Sequence, residues 1–495
     1  MSPATASLER RAISLGTAYA LDYGLQFLLP VVLTRALDAV SFGEYRLLWL
    51  AVSTLLVIMP MCMPQSLYYF LPRSDAARQR LYLHQCLLFL AFAGIASGLL
   101  LSPIDPFLPA SMRGLVTHNG VVVPIFAALW IFSWVLDILP TVDERVQWQA
   151  KVIVGLSALR AVTLSLTAFI TRDLAAVLWV LAAFAAFKSG LLFWYVRRHH
   201  GLGGPWMERA PFKEQIVQAA PFALSGALHG FRAQGDQWIA AALFTVTQFA
   251  SFSVATVIAP IVQMFRQSVN HVFLPSMSRL HSTGDFASML ALNSRANAMV
   301  ALLVYPMLAF AFVFAEPLIA LIYTPTYLEA VPVMRLYIVG LLALVVELTS
   351  ILFLLKQGGF ASRVNALVLA LALPLSYFGA ITWGLMGAAV GSVAALYSER
   401  ALSLARIAKL TDTPVARLQD WTTLAGILAA AGIAALAAAT VLRWTHLPPL
   451  ALLASGGAIL AVVYPAALLL TGQRHSLASF IASLRHSGPE PAAIK

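Results

Sequence analysis

Residues 219–244 read AAPFALSGALHGFRAQGDQWIAAALF, an apolar stretch of membrane-spanning length with Arg232 and Asp236 one helical turn apart near its middle. On insertion scales a central Arg or Asp costs about 2.5–3.5 kcal/mol, whereas each Leu, Ile or Phe returns only about 0.3–0.6 kcal/mol. Phe222, Leu224, Leu228, Phe231, Ile239, Leu243 and Phe244 together return roughly 2–4 kcal/mol, so the segment does not cross a bilayer comfortably alone. It needs neighbouring helices, or water in a cavity.

The chain supplies such neighbours on both sides of this segment. It is 60% hydrophobic and 11% charged, with a mean hydropathy of +0.83 over 495 residues. Apolar runs of about 20 residues recur throughout, which is the composition of a polytopic helical membrane protein. The pattern predicts about fourteen spans, from one starting near Ala12 to one starting near Leu450. Arg10 and Arg11 precede the first apolar run in the manner of a signal peptide, but that run is too long and lacks a small-residue cleavage site, so it is expected to be retained.

Orientation follows from the basic residues. Placing the N-terminus inside puts roughly two thirds of the 32 Lys and Arg residues on the cytoplasmic side, Arg197, Arg198, Arg400, Arg406 and Lys409 among them. Both termini are therefore expected inside, which requires an even number of crossings. The net charge of +11 reads as this topology signal and as attraction to anionic membrane lipids. Nucleic-acid binding is excluded because no basic soluble module exists to carry it. Cys62 and Cys86 lie within spans and away from any ligand spacing, so no metal site, cofactor or catalytic constellation is expected.

Loops are short. The longest outside, 102–120 and 316–332, are too small for a catalytic domain, and the longest inside, 197–218, carries Arg197, Arg198, Trp206, Arg209, Phe212 and Lys213 in the manner of a surface-lying amphipathic segment or a plain positive-inside linker. That linker divides two similar halves. FGEYRLLWLAV from Phe42 is answered by FASFSVATVIA from Phe249, and QSLYYFLPR from Gln65 by QSVNHVFLPSMSR from Gln267, both about 205 residues on, which predicts parallel repeats. The expected layout is a six-helix lobe over 1–200, a cytoplasmic linker over 201–218, a second six-helix lobe over 219–410, and a terminal helix pair with a cytoplasmic tail over 411–495.

Several motifs in this order resemble the polysaccharide flippases of the multidrug/oligosaccharidyl-lipid/polysaccharide exporter superfamily. They are TRALDAVSFGEYRLL from Thr34, the FASFSVAT turn after Asp236, FLPSMSRL from Phe273 and EPLIALIYTPTYLEAVPVMRLY from Glu316. The resemblance covers about residues 8–410. Its commoner members have twelve spans, whereas the peptidoglycan-precursor flippases have fourteen.

The resemblance implies an all-α fold of two six-helix lobes around a central cavity, a lipid-linked oligosaccharide as substrate, and a place in the cell inner membrane beside a polysaccharide polymerase and glycosyltransferases. Read from the residues alone, each half opens with a helix polar at mid-depth: Asp22 and Gln26 in the first, His229, Arg232, Gln234 and Asp236 in the second. Intramembrane ionisable groups usually face a bundle interior or a cavity. Arg232 is the first candidate for a diphosphate contact, since guanidinium matches phosphate oxygens with several directional donors; equally, Asp236 at i+4 could simply neutralise it. Arg266, with Asn270 one turn further, is the second candidate, unless it reaches the cytoplasmic surface. Arg160, beside Ser157 and Thr163, is a third. Lys188 and Arg335 are expected to reach an interface, and Asp137 and Glu347 to bind a coupling cation or pair with such bases. Pro30, Pro60, Pro64, Pro221, Pro260 and Pro306 are expected to bend their helices.

Two rival classes remain. A cation-coupled multidrug antiporter would be expected to have an acidic cavity, and an integral-membrane glycan polymerase or glycosyltransferase needs a large outer loop that is missing here. No GxxxxGK[ST] phosphate loop is present, so ATP is not the direct driving force.

Overall fold

The computed structural model describes residues 3–473 apart from Phe107 and His446, leaving aside the side chains of residues 3–14 and of His271. The tail after residue 473, expected from the sequence to be cytoplasmic, and the side chains of Arg10 and Arg11 lie outside the described residues. Every described element is helical. The chain divides into two compact units, Met1–Ala250 and Ser251–Lys495.

The first unit contains α1 (Pro3–Ala36), α2 (Ala39–Ile58), α3 (Met63–Phe70), α4 (Ala76–Leu100), α5 (Ala110–His118), α6 (Val122–Phe132), α7 (Leu139–Val142), α8 (Val146–Thr171), α9 (Leu174–His199) and α10 (Arg209–Leu243). Asp38 ends the turn after α1 by accepting the Ser41 amide at 3.0 Å, a side-chain cap that starts α2. The second crossing breaks at Pro60, where Met61 and Cys62 take left-handed φ values of 47° and 55° before α3 begins with Pro64 in its first turn. α1 packs on α8, α6 lies between α4 and α9, and α10 packs on α2 and α3. The α2–α10 crossing is close because Gly230 has no side chain: a Cβ there would stand 2.8 Å from Val57 Cγ1.

The linker before α10 carries no helix over 201–208 and docks on the start of α4. Trp206 stacks on His84 with ring centroids 4.2 Å apart, Gln85 Nε2 donates to Glu208 O at 2.9 Å, and Tyr82 OH donates to Glu214 at 3.1 Å.

The boundary between the units falls inside α11 (Val246–Ala255). Beyond it come α12 (Ala259–Ser282), α13 (Phe286–Val313), α14 (Ala315–Tyr323), α15 (Ala330–Leu344), α16 (Thr349–Leu354), α17 (Gly358–Thr411), α18 (Val415–Leu418), α19 (Trp421–Leu442) and α20 (Pro449–Leu470). Like the second crossing, the eighth is interrupted at a proline, Pro260. The 54-residue α17 is two helices folded back at Gly384, whose φ of 63° and ψ of −144° suit glycine alone. Its arms touch through the small residues of GLMGAAVGSVAAL. A Cβ on Gly391 would lie 2.1 Å from Ala372 O, so the glycine is what lets the backbones approach.

Ala430, Ala431, Ala434, Ala435 and Ala438 of α19 are fully buried, and this helix packs on α13. α20 packs on α19 and α14, and Tyr464 OH donates to Leu302 O of α13 at 3.0 Å. The terminal pair is thus part of the second unit's core.

Ten of the described helices are long and apolar enough to cross a membrane, counting α17 once. α1 and α10 have 34 and 35 residues, ample length, but Asp22 and Gln26 in one and Arg232, Gln234 and Asp236 in the other hold down their hydropathy. These are the two helices whose polar centres make solitary insertion unfavourable.

Candidate functional site

In the first unit the packing of α1 on α8 brings Asp22 to Ser157 and Arg160. Gln26 Nε2 donates to Asp22 Oδ2 at 2.7 Å, the Ser157 hydroxyl donates to Oδ1, and Arg160 Nη2 stands 3.9 Å from the same oxygen. Arg160 also lies 5.9 Å from the Trp49 ring and 5.7 Å from the Trp130 ring, which meet edge to face at 5.2 Å. The guanidinium is therefore held by one carboxylate and two aromatic faces, each of which attracts a cation.

A second cation reaches the same tryptophan. Lys188 Nζ is 2.7 Å from Asp137 Oδ2 and 5.0 Å from the Trp130 centroid. The sequence expectation that Lys188 reaches an interface is not met, because this lysine is 5% exposed. Burial of an ammonium demands a counter-charge, and Asp137 provides it.

The second unit builds its centre on a helix break. Between α15 and α16 the chain is non-helical at Glu347 and Leu348, which leaves backbone groups without helical partners. Two asparagines one turn apart on α13 satisfy them. Asn297 Oδ1 accepts the Glu347 amide at 3.1 Å, and Asn293 Nδ2 donates to Glu347 O at 3.1 Å. Clamped this way, the Glu347 side chain accepts from the Ser350 amide at 3.2 Å and forms an ion pair with Arg266 of α12. Arg266 also donates to Gln263 Oε1 at 2.6 Å, and Ser350 Oγ donates to Asn270 Oδ1 at 2.9 Å.

Arg266, Gln267, Asn270, Glu347, Thr349 and Ser350 line a cavity of about 190 Å³. Arg400, counted as cytoplasmic in the sequence reading, is 7% exposed on the second arm of α17 and lies within electrostatic reach of Arg266. The cavity thus combines a guanidinium, a carboxylate, amides and hydroxyls. Such a wall can exchange one anionic partner of Arg266 for another.

Of the residues singled out from sequence, Asp22, Gln26 and Arg160 meet in one centre, and Arg266 and Asn270 in the other. Asp137 and Glu347 both pair with bases. On α10, His229 is exposed, Arg232 half-buried and Asp236 buried, with Asp236 Oδ1 accepting the adjacent Gln237 amide at 2.8 Å. Gln234 of the same helix faces α2: it accepts from the Thr54 hydroxyl and donates to Ser53 Oγ at 3.2 Å, while Trp238 Nε1 donates to Thr54 at 2.9 Å. The asparagine clamp was missed because Asn293 and Asn297 look like ordinary polar residues at the start of a span; their i, i+4 spacing was the available signal. Among the described residues no group of three or more His, Cys, Asp or Glu is placed to hold a metal ion.

The described chain is all-helical, is interrupted near Pro60 between α2 and α3 and near Pro260 between α11 and α12, and pairs charges inside its helix bundles. Solved structures share its fold. The chain is similar to the lipid II flippase MurJ in its inward closed conformation, with a TM-score of 0.67 at 12% identity over 92% of this chain and 99% of that one. A mutant of the Vibrio cholerae MATE transporter VcmN matches at 0.53 and 13% identity, over 82% and 99% of the two chains. A Pyrococcus furiosus transporter of the MOP superfamily, described as having a binding pocket of reverse polarity, matches at 0.52 and 12% identity, over 81% and 95%. No curated protein matches the sequence. Residues 142–332 match the family described as polysaccharide biosynthesis protein, and the fold is like that of these three transporters.

Proposed function

We propose that the chain is a flippase that carries a polyprenyl-diphosphate-linked oligosaccharide from the cytoplasmic to the outer leaflet of the inner membrane by alternating access, for cell-surface polysaccharide synthesis. The observation that carries this reading is the Arg266–Glu347 pair on the wall of a polar cavity. An unpaired guanidinium inside a membrane protein is costly, so Glu347 neutralises it while the site is empty. A diphosphate offers more charge and more acceptor oxygens than one carboxylate and competes for the same donors. Arg160, with its looser 3.9 Å contact to Asp22, supplies the corresponding donor in the first unit. Arg232 is a third donor, with Asp236 and His229 on its helix.

In this reading the chain crosses the membrane fourteen times with both termini cytoplasmic. The ten apolar helices are joined by α1, α10, α15 and the second arm of α17. Likeness to the lipid II flippase over 92% of the chain supports counting the terminal pair as part of the transporter. The organic-cation antiporter is the weaker reading, because Asp22, Asp137 and Glu347 already hold bases of their own.

The test is transport by the full chain in proteoliposomes, offered a fluorescent polyprenyl-diphosphate oligosaccharide and, separately, ethidium under a proton or sodium gradient. Flipping of the lipid without ethidium transport is the expected outcome. Ethidium transport without lipid flipping overturns the reading.

A further inference from the structure

The Arg266–Glu347 pair does not end at Glu347. Asn297, which accepts the Glu347 amide through Oδ1, donates through Nδ2 to Gln419 Oε1 at 3.1 Å. Gln419 is 4% exposed and stands just before Asp420, the N-cap of α19, the first helix of the terminal pair. The next residue continues the attachment. Asp420 N donates to Ser294 Oγ of α13 at 2.8 Å, and its carboxylate caps α19 by accepting the Thr423 amide at 2.9 Å. A continuous polar path therefore runs from the start of the terminal pair through Gln419, Asn297 and Glu347 to Arg266.

Each step has a reason to be directional. An amide side chain offers an acceptor on one side and donors on the other, so engaging Nδ2 of Asn297 fixes which way Oδ1 points. Oδ1 serves a backbone N–H left without a helical partner by the break before α16, and the position of that peptide decides where the Glu347 carboxylate lies. Buried polar chains of this kind act as a unit, and loss of one member is felt at the others.

From this path we infer that Gln419 is a positioning residue for the cavity: by orienting Asn297 it holds Glu347 on Arg266, and through it the terminal helix pair sets how much positive charge the cavity presents. The inference rests on reading the Arg266 cavity as the working site, and it gives the terminal pair a part in that site besides packing.

Charge-selective thiol labelling tests it without any transport substrate, so its outcome is independent of whether a lipid-linked glycan is carried. Thr349 lines the cavity and is exposed. In the full chain with Cys62→Ser and Cys86→Ser, Thr349→Cys is labelled with a sulfonatoethyl and with a trimethylammonioethyl methanethiosulfonate, and the anion-to-cation rate ratio is normalised to a free thiol. Gln419→Met keeps the side-chain length and removes the acceptor. It is expected to raise the ratio about fivefold as the charge of Arg266 loses compensation, and Asn297→Leu, which cuts the path one step closer, to do the same. In a Glu347→Gln background the ratio starts high, and Gln419→Met adds nothing further. A purely structural role for Gln419 changes both rates by a common factor. An unchanged ratio in Gln419→Met and Asn297→Leu, or an equal rise in the Glu347→Gln background, overturns the inference.

Discussion

Arg266 of α12 is paired with Glu347, a residue held outside any helix by two asparagines of α13. The side chains are 15% and 7% exposed, so neither charge is well solvated alone. Removing one partner is expected to hurt more than removing both. Glu347→Ala should destabilise the protein by about 2–4 kcal/mol, and Glu347→Ala with Arg266→Leu by much less, because the penalty is that of an uncompensated buried charge. Thermal melts of the single and double variants in detergent measure the difference.

Asn297 serves two partners at once, so its substitutions separate by chemistry. Asn297→Leu strands the Glu347 amide and Gln419 Oε1 and is expected to cost about 2–3 kcal/mol. Asn297→Asp keeps an acceptor for the Glu347 amide but sets a carboxylate oxygen against Gln419 Oε1 and buries an uncompensated charge, so it should cost at least as much. Denaturation followed by intrinsic tryptophan fluorescence ranks the two.

Lys188 and Asp137 make a self-contained pair under Trp130. Lys188→Met alone should lower stability by about 1–3 kcal/mol, and the addition of Asp137→Leu should recover most of that loss. If the pair is only structural, the double variant also flips lipid at close to the normal rate in the proteoliposome assay.

The hairpin within α17 depends on glycine at its closest approach. Gly391→Val places a branched side chain where even a Cβ would lie 2.1 Å from Ala372 O, and is expected to remove most of the monodisperse protein in size-exclusion chromatography. Gly432→Ala, at a position where a Cβ meets nothing within 4 Å, should leave the yield unchanged.

The general architecture was legible because hydropathy registers it directly: a bilayer demands long apolar helices, and their polar exceptions stand out. Asp22, Arg160, Arg266 and Glu347 could each be picked as anomalies on that ground. Their pairings were not legible, since Asp22 meets Ser157 and Arg160 across more than a hundred residues and only helix packing brings them together. The break at Glu347 was hidden for a different reason. It contains neither Pro nor Gly, and its backbone is satisfied by side chains from another helix. The burial of Arg400 was not legible because a basic residue near the end of a span looks the same in sequence whether it points to water or into the bundle.

In the proposed transport cycle a diphosphate takes Arg266 over from Glu347. The most direct measurement is the initial rate at which the full chain in proteoliposomes flips a fluorescent polyprenyl-diphosphate oligosaccharide, compared between wild type and Arg266→Ala at equal amounts of folded protein. Loss of a charge-assisted contact worth about 1.5–3 kcal/mol predicts a rate at least tenfold lower, partly restored by Arg266→Lys. A wild-type rate from Arg266→Ala would contradict the account.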